Sequence, residues 1–204
     1  MQSNLTPRRV LAYSALWLSL LIISASSVAA QQCGVHCGTE RWKIKTLTDT
    51  TVDLVEFDPV VKPINWLRTR TRPNSLPNTT RLVGIETMTF KVTGVVLKFK
   101  LEDDRDFHVV IAQSNNHART MIVEFPNIEC SDVCSSEFAD QIRQARDDFV
   151  ARFGQPTTSF TTLDHPVRIE VTGVGFFDRM HGQTGRALPS GIELHPVIGF
   201  RVLD

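Results

Sequence analysis

A single stretch of fifteen residues constrains this fold more than anything else in the chain. Met88, Phe90 and Val92 alternate with Thr87, Thr89, Lys91 and Thr93, which is the two-residue period of a half-buried strand. Beyond Gly94 the apolar set moves by one position, to Val95, Leu97, Phe99 and Leu101, with Lys98 and Lys100 opposite. A one-residue phase change at a glycine within a strand is the signature of a β-bulge. The pattern therefore predicts one long, bent strand from Thr87 to Leu101, bulged at Gly94. A strand of that length and bend can pair in both halves of a small barrel and so close it.

The elements that follow fit such a barrel. Phe107, Val109 and Ile111 alternate as a second strand, and Ser114-Asn115-Asn116 supplies a turn. Met121, Val123 and Phe125 form a third strand, stopped by Pro126. Phe138, Ile142, Ala145, Phe149 and Phe153 then recur at steps of four and three, one apolar stripe of a helix. Ser135 or Ser136 is placed to cap it, and Gly154 and Pro156 end it. A fourth strand runs through Val167, Ile169 and Val171 to Val174 and Phe176, with a phase slip at Gly173, and Ile192 to Phe200 make the last.

The order predicts a mainly β fold with one helix (α+β): a five-stranded OB-like Greek-key barrel over residues 86–204, its helix between strands three and four. An open α+β sandwich shares the same element order. Residues 31–85 read as an irregular N-terminal arm that packs on the barrel. Pro59, Pro63, Pro73 and Pro77 exclude a long helix or a central strand there, although Pro63 can open a short helix through Leu67. Arg68, Arg70 and Arg72 alternate with Thr and would share one side of an extended arm.

Residues 1–30 have the build of a signal peptide. Arg8 and Arg9 precede an apolar run from Leu11 to Ile23, and Val28-Ala29-Ala30 offers small residues for cleavage. The run is shorter than the ~20 residues of a membrane span; an uncleaved anchor is the alternative. The expectation is an exported protein, periplasmic or extracellular, with no stable membrane insertion after cleavage. All four cysteines, Cys33, Cys37, Cys130 and Cys134, fall in the exported part, where disulfides are the default. Matched spacing favours two cross-links between the arm and the 130–134 loop. Local 33–37 and 130–134 bridges, and a metal knot of thiolates with His36, are the alternatives.

Lys and Arg together number 22, as do Asp and Glu. That balance excludes the dense basic footprint of a dedicated nucleic-acid binder. The charge is unevenly placed: residues 31–100 carry net +5 and residues 101–204 net −7.

Several pieces occur in order along residues 40–200: Glu40-Arg41-Trp42 with Lys45-Thr46 and Thr48-Asp49, Asp106-Phe107-His108, Thr120-Met121-Ile122 with Glu124, Phe176-Phe177-Asp178 with His181-Gly182-Gln183-Thr184-Gly185, and Gly191-Ile192-Glu193-Leu194-His195-Pro196. Together they resemble a group of exported bacterial proteins of unassigned function, a likeness that implies a compartment and no established activity. The element order is also similar to the staphylococcal thermonuclease barrel. The acidic and arginine motifs of that nuclease are not evident here, so its catalytic residues are not carried over.

Strand phase nominates a site. With Phe107, Val109, Met121, Val123, Ile192 and Leu194 facing the core, Asp106, His108, Glu124, Glu193 and His195 face the other way. Strands two, three and five are consecutive neighbours in an OB barrel, so these five side chains are expected to gather on one outer surface, bordered by His181 in the last loop. His108, Glu124 and His195 make a candidate set for a divalent metal, since imidazole and carboxylate suit zinc, manganese or iron. Asp103, Asp104 and Asp106 lack the glycine and terminal glutamate of a calcium loop. The reading is an exported, non-enzymatic OB-like binding module for an oligosaccharide, a peptide or a nucleic acid. The alternatives are a metal-dependent phosphodiesterase or nuclease using His108, Glu124 and His195, and a structural or assembly factor of the cell envelope.

Overall fold

The structure, a computed structural model, describes residues 33–203; the expected signal peptide and its cleavage site lie outside them. The protein is mainly β with few helices. Six strands, β1 (Glu56–Val61), β2 (Met88–Leu101), β3 (Phe107–Gln113), β4 (Asn116–Phe125), β5 (Thr161–Phe177) and β6 (Ile192–Val202), form one sheet in the order β1-β2-β3-β4-β6-β5. A further pairing of β5 with β2 returns the sheet on itself. The ring thus runs β2-β3-β4-β6-β5, antiparallel throughout except where β4 meets β6. Where the sequence pattern gives five strands, the sixth comes from the arm: β1 pairs parallel with the first half of β2, along the edge that β3 takes up farther on. Pro59 is tolerated there because β1 has a free edge.

β2 is the long bent strand that the alternation predicts, and it pairs on both sides. Its irregularity lies between Val96 and Lys98 rather than at Gly94. Phe90, Val92 and Val96 face the core in one phase and Phe99 in the next. Gly94 has a different role. A Cβ there would sit 2.6 Å from the Ala112 carbonyl oxygen and 2.7 Å from Ile64 Cδ1, so the glycine admits a close approach of the arm and β3. In β5 the register does shift at Gly173.

The described residues include four α-helices: α1 (Trp42–Lys45), α2 (Ile64–Arg68), α3 (Ser131–Cys134) and α4 (Ala139–Phe153). Only α4 is long, and it lies between β4 and β5. Its buried stripe, Ile142, Ala145 and Phe149, is the predicted one. Phe149 packs on Phe99, Phe107, Phe125 and Phe200, with ring centroids 5.1–5.7 Å apart. The helix starts later than the serines suggest. Ser135 ends α3, while the Ser136 hydroxyl accepts from the Phe138 amide at the α4 entrance. None of the helices among the described residues is long and apolar enough to cross a membrane.

The arm is built into the protein by buried groups. Ile64 and Leu67 join the main core. Two disulfides, Cys33–Cys134 and Cys37–Cys130, tie it to the α3 region, each with Cα atoms 5.6 Å apart. These are the predicted cross-links, and they suit an oxidising compartment. Arg68, Arg70 and Arg72 do not form an open basic face. Arg68 donates to the Thr120 carbonyl, Arg70 stacks on Trp66, and Arg72 donates to the Ser190 carbonyl.

Candidate functional site

The motif residues at the start of the arm form two fully buried ion pairs that fix α1 against the ring. Arg41 meets Glu86 through both guanidinium nitrogens, at 2.7 and 2.8 Å. It also donates to the carbonyls of Pro77 and Phe177. Glu86 in turn accepts from the amides of Leu82 and Phe177. Arg81 meets Asp49 at 2.7 and 3.0 Å and donates to the Ile44 carbonyl at the end of α1. Every charged atom has partners, the condition for tolerating charge away from water. The consequence is positional: α1 is held so that Lys45 leans over the face where β3, β4 and β6 carry their polar residues.

That face differs from the expected outer surface in one respect. The strand phase is as read, with Asp106, His108, Glu124, Glu193 and His195 turned away from the apolar core, but all five are buried, none more than 7% exposed. The arm and the β5–β6 loop cover them. Strand phase reports which side of a sheet a residue takes; it does not report what packs on that side.

The contacts are specific. His108 Nδ1 lies 3.1 Å from Glu124 Oε1 and 3.1 Å from Glu102 Oε1, while Nε2 lies 2.9 Å from the Thr184 carbonyl oxygen. A carbonyl and two carboxylates can only accept, so both ring nitrogens carry hydrogen and His108 is an imidazolium. Burial pulls its pKa down, but the hydrogen bonds to Glu102 and Glu124 outweigh this and raise it to about 10. On the other side of Glu124, Oε2 lies 3.1 Å from His195 Nδ1, and His195 Nε2 lies 3.3 Å from Asp106 Oδ2. The second Asp106 oxygen accepts from the Asn127 amide. Burial would push the Glu124 carboxyl up, yet His108 and His195 hold it well below the usual carboxylate range. Glu193 goes the other way: burial, then the charges of Asp178 and Glu124, raise it well above. Burial lowers the Lys45 ammonium, but the surrounding carboxylates of Glu124, Asp178, Glu193 and Asp106 together raise it above the ordinary lysine value.

An open cleft of about 310 Å³ lies over this cluster. Six carboxylates reach it, from Glu40, Glu102, Asp103, Asp104, Glu124 and Asp178, against Lys45 and His181. Asp104 feels the crowding: burial first, then the charges of Asp106 and Glu124, push it up to about 6. His181 is exposed in the β5–β6 loop, 3.4 Å from Asp178, and accepts from Gln183. Cys37, bridged to Cys130, and Trp42 also line the cleft, and the Trp42 indole N–H donates to Asp132.

Among the described residues, donor atoms converge to within 4.8 Å in three sets: Glu40–Asp178–His181, Glu102–His108–Glu124 and Asp106–Glu124–His195. His108 and His195 thus approach different oxygens of Glu124 and fall in separate sets. Lys45, Glu102 and Asp178 belong to the site and were not nominated from sequence. Asp178 stood in a quoted motif, and the Lys45 motif lay in the arm; nothing local in either segment indicated that it would fold over this face. Comparison of the chain with protein-family models, with curated proteins and with solved structures produced no match.

Proposed function

We propose that this protein is an exported OB-like binding module, non-enzymatic, that captures a peptide through a basic side chain. The OB-like reading is supported by the ring-like order β2-β3-β4-β6-β5 and by the place of α4 between β4 and β5. The observation that carries the ligand class is the acidic cleft: six carboxylates converge on it, and the one lysine among them is already surrounded by carboxylates. Such a wall attracts a guanidinium or ammonium group and repels a phosphodiester backbone. Oligosaccharide and nucleic acid therefore rank behind a basic peptide. The same wall weighs against the phosphodiesterase reading. The resemblance to exported bacterial proteins and the two disulfides agree with capture outside the cytoplasm.

The test is calorimetric titration of the mature, disulfide-intact protein with short peptides rich in Arg or Lys, with their Glu-rich counterparts, with a neutral oligosaccharide and with single-stranded DNA. Saturable binding of the basic peptides alone is expected. Neutralising the rim by Glu102→Gln, Asp103→Asn and Asp104→Asn together should weaken it at least tenfold. Binding of the oligosaccharide or the DNA in preference to basic peptides, or an unchanged affinity in the triple variant, overturns the proposal.

A further inference from the structure

The two histidines beside Glu124 are partnered differently, and the difference points to an ion. His108 makes a hydrogen bond on each side, to Glu124 and to the Thr184 carbonyl; protons satisfy it. His195 is fully buried, at 0% exposure, and its two nitrogens approach Glu124 and Asp106 to 3.1 and 3.3 Å. Yet neither nitrogen has a hydrogen-bond partner, and neither does Asp106 Oδ2, also at 0% exposure. The distances are short while the N–H directions are wrong. A proton shared between nitrogen and oxygen must lie close to the line joining them. A metal ion need not: it sits on one ring nitrogen with the oxygens to the side, about 2.0–2.2 Å from each donor, which puts tetrahedral donors roughly 3.3 Å apart. Either nitrogen of His195 has an oxygen near that spacing, only one of the two can ligate a given ion, and one donor atom from each of Asp106, Glu124 and His195 lies within 4.8 Å of the others.

Two carboxylates and one neutral imidazole about a divalent cation sum to zero, and the other oxygen of Glu124 keeps its contact with the His108 imidazolium. Glu124 is shared between this set and the cleft wall, which gives an ion a way in and leaves coordination positions toward the cleft.

We propose that Asp106, Glu124 and His195 bind one divalent transition-metal ion, zinc foremost, beneath the floor of the cleft. Imidazole with carboxylates suits zinc or manganese, and there is no thiol in the set to select a softer ion. The site does not rest on the peptide reading, because the rim residues Glu102, Asp103 and Asp104 lie outside the set.

The mature protein, purified without a metal-affinity tag and stripped with chelator, is titrated with zinc by calorimetry, and metal is counted after dialysis. One zinc per chain is expected, with a higher Tm. Asp106→Asn and His195→Gln should each lower zinc affinity at least tenfold, while His181→Gln leaves it unchanged. X-ray absorption on the zinc-loaded wild-type protein should show nitrogen and oxygen ligands with a single imidazole, a measurement that does not depend on any variant folding. No stoichiometric uptake, two imidazoles on the ion, or wild-type affinity in both Asp106→Asn and His195→Gln overturns the proposal. So does loss of uptake in His181→Gln, which would place the ion on the cleft rim with Glu40 and Asp178.

Discussion

Replacing Glu86 by leucine tests whether the buried ion pair holds the arm in place. Neither Arg41 nor Glu86 exposes any side-chain surface, and four N–H groups converge on the Glu86 carboxylate: two from Arg41, one from Leu82 and one from Phe177. Leucine leaves the guanidinium buried with only two carbonyls and the face of Phe176. Breaking a buried pair in this way costs about 3–5 kcal/mol. The two orphaned amides add about 1 kcal/mol each, so about 5–7 kcal/mol is expected. With a urea m-value of about 2 kcal/mol/M, the unfolding midpoint should fall by about 2.5–3.5 M, followed by circular dichroism with the disulfides intact. Arg41→Met on the Glu86→Leu background removes the stranded charge and should recover a large part of that loss. A midpoint shift below about 0.5 M for Glu86→Leu, or a double variant less stable than the single, would refute the reasoning.

Three further outcomes follow from the geometry. Cys33–Cys134 and Cys37–Cys130 close nearly the same loop, of 101 and 93 residues. Serine at either pair should therefore cost about 2.5 kcal/mol, and serine at both about 7 kcal/mol, measured by denaturation; equal costs for the first and second bridge would contradict this. Gly94→Ala pushes a methyl group against backbone at Ala112 and should destabilise by about 1–3 kcal/mol; a neutral result in thermal melts would show that β2 and β3 can separate. Asp104 has its folded pKa raised to about 6, so its protonated form favours the fold. Its contribution is full below the ordinary carboxylate range and fades as pH rises through about 6. Asp104→Asn should raise stability at pH 7 by about 1 kcal/mol after solvent screening, with little effect at pH 4, and a loss of stability at pH 7 would refute the assignment.

Alternation in β2 to β4, the α4 stripe and the pairing of the arm's cysteines with those of the 130–134 loop were all legible because each is a local pattern or a small combinatorial choice. The position of the β2 irregularity was not. Val95 and Val96 are both buried, so apolarity alone does not show which of them faces the core. β1 was hidden for a related reason: Glu56, Asp58 and Pro59 give no alternation, and the strand exists only because β2 offers it an edge. For the site, strand phase correctly put Asp106, His108, Glu124, Glu193 and His195 on the side away from the apolar core. Their burial depends on α1 and the β5–β6 loop, whose placement is set by Arg41–Glu86 and Arg81–Asp49, contacts between residues more than thirty positions apart. No periodicity carries that information.

β1 has a consequence for how copies of this protein meet one another. β1 stands at the end of the strand order and pairs with β2 alone, so its outer side is one place where a neighbouring chain would find free backbone groups. That rail is six residues long, carries Glu56 and Asp58, and is interrupted by Pro59. Short length, like charge and a missing N–H each discourage strand-to-strand templating. β1 therefore offers a neighbouring copy little to template on, although more than a third of the described length is strand.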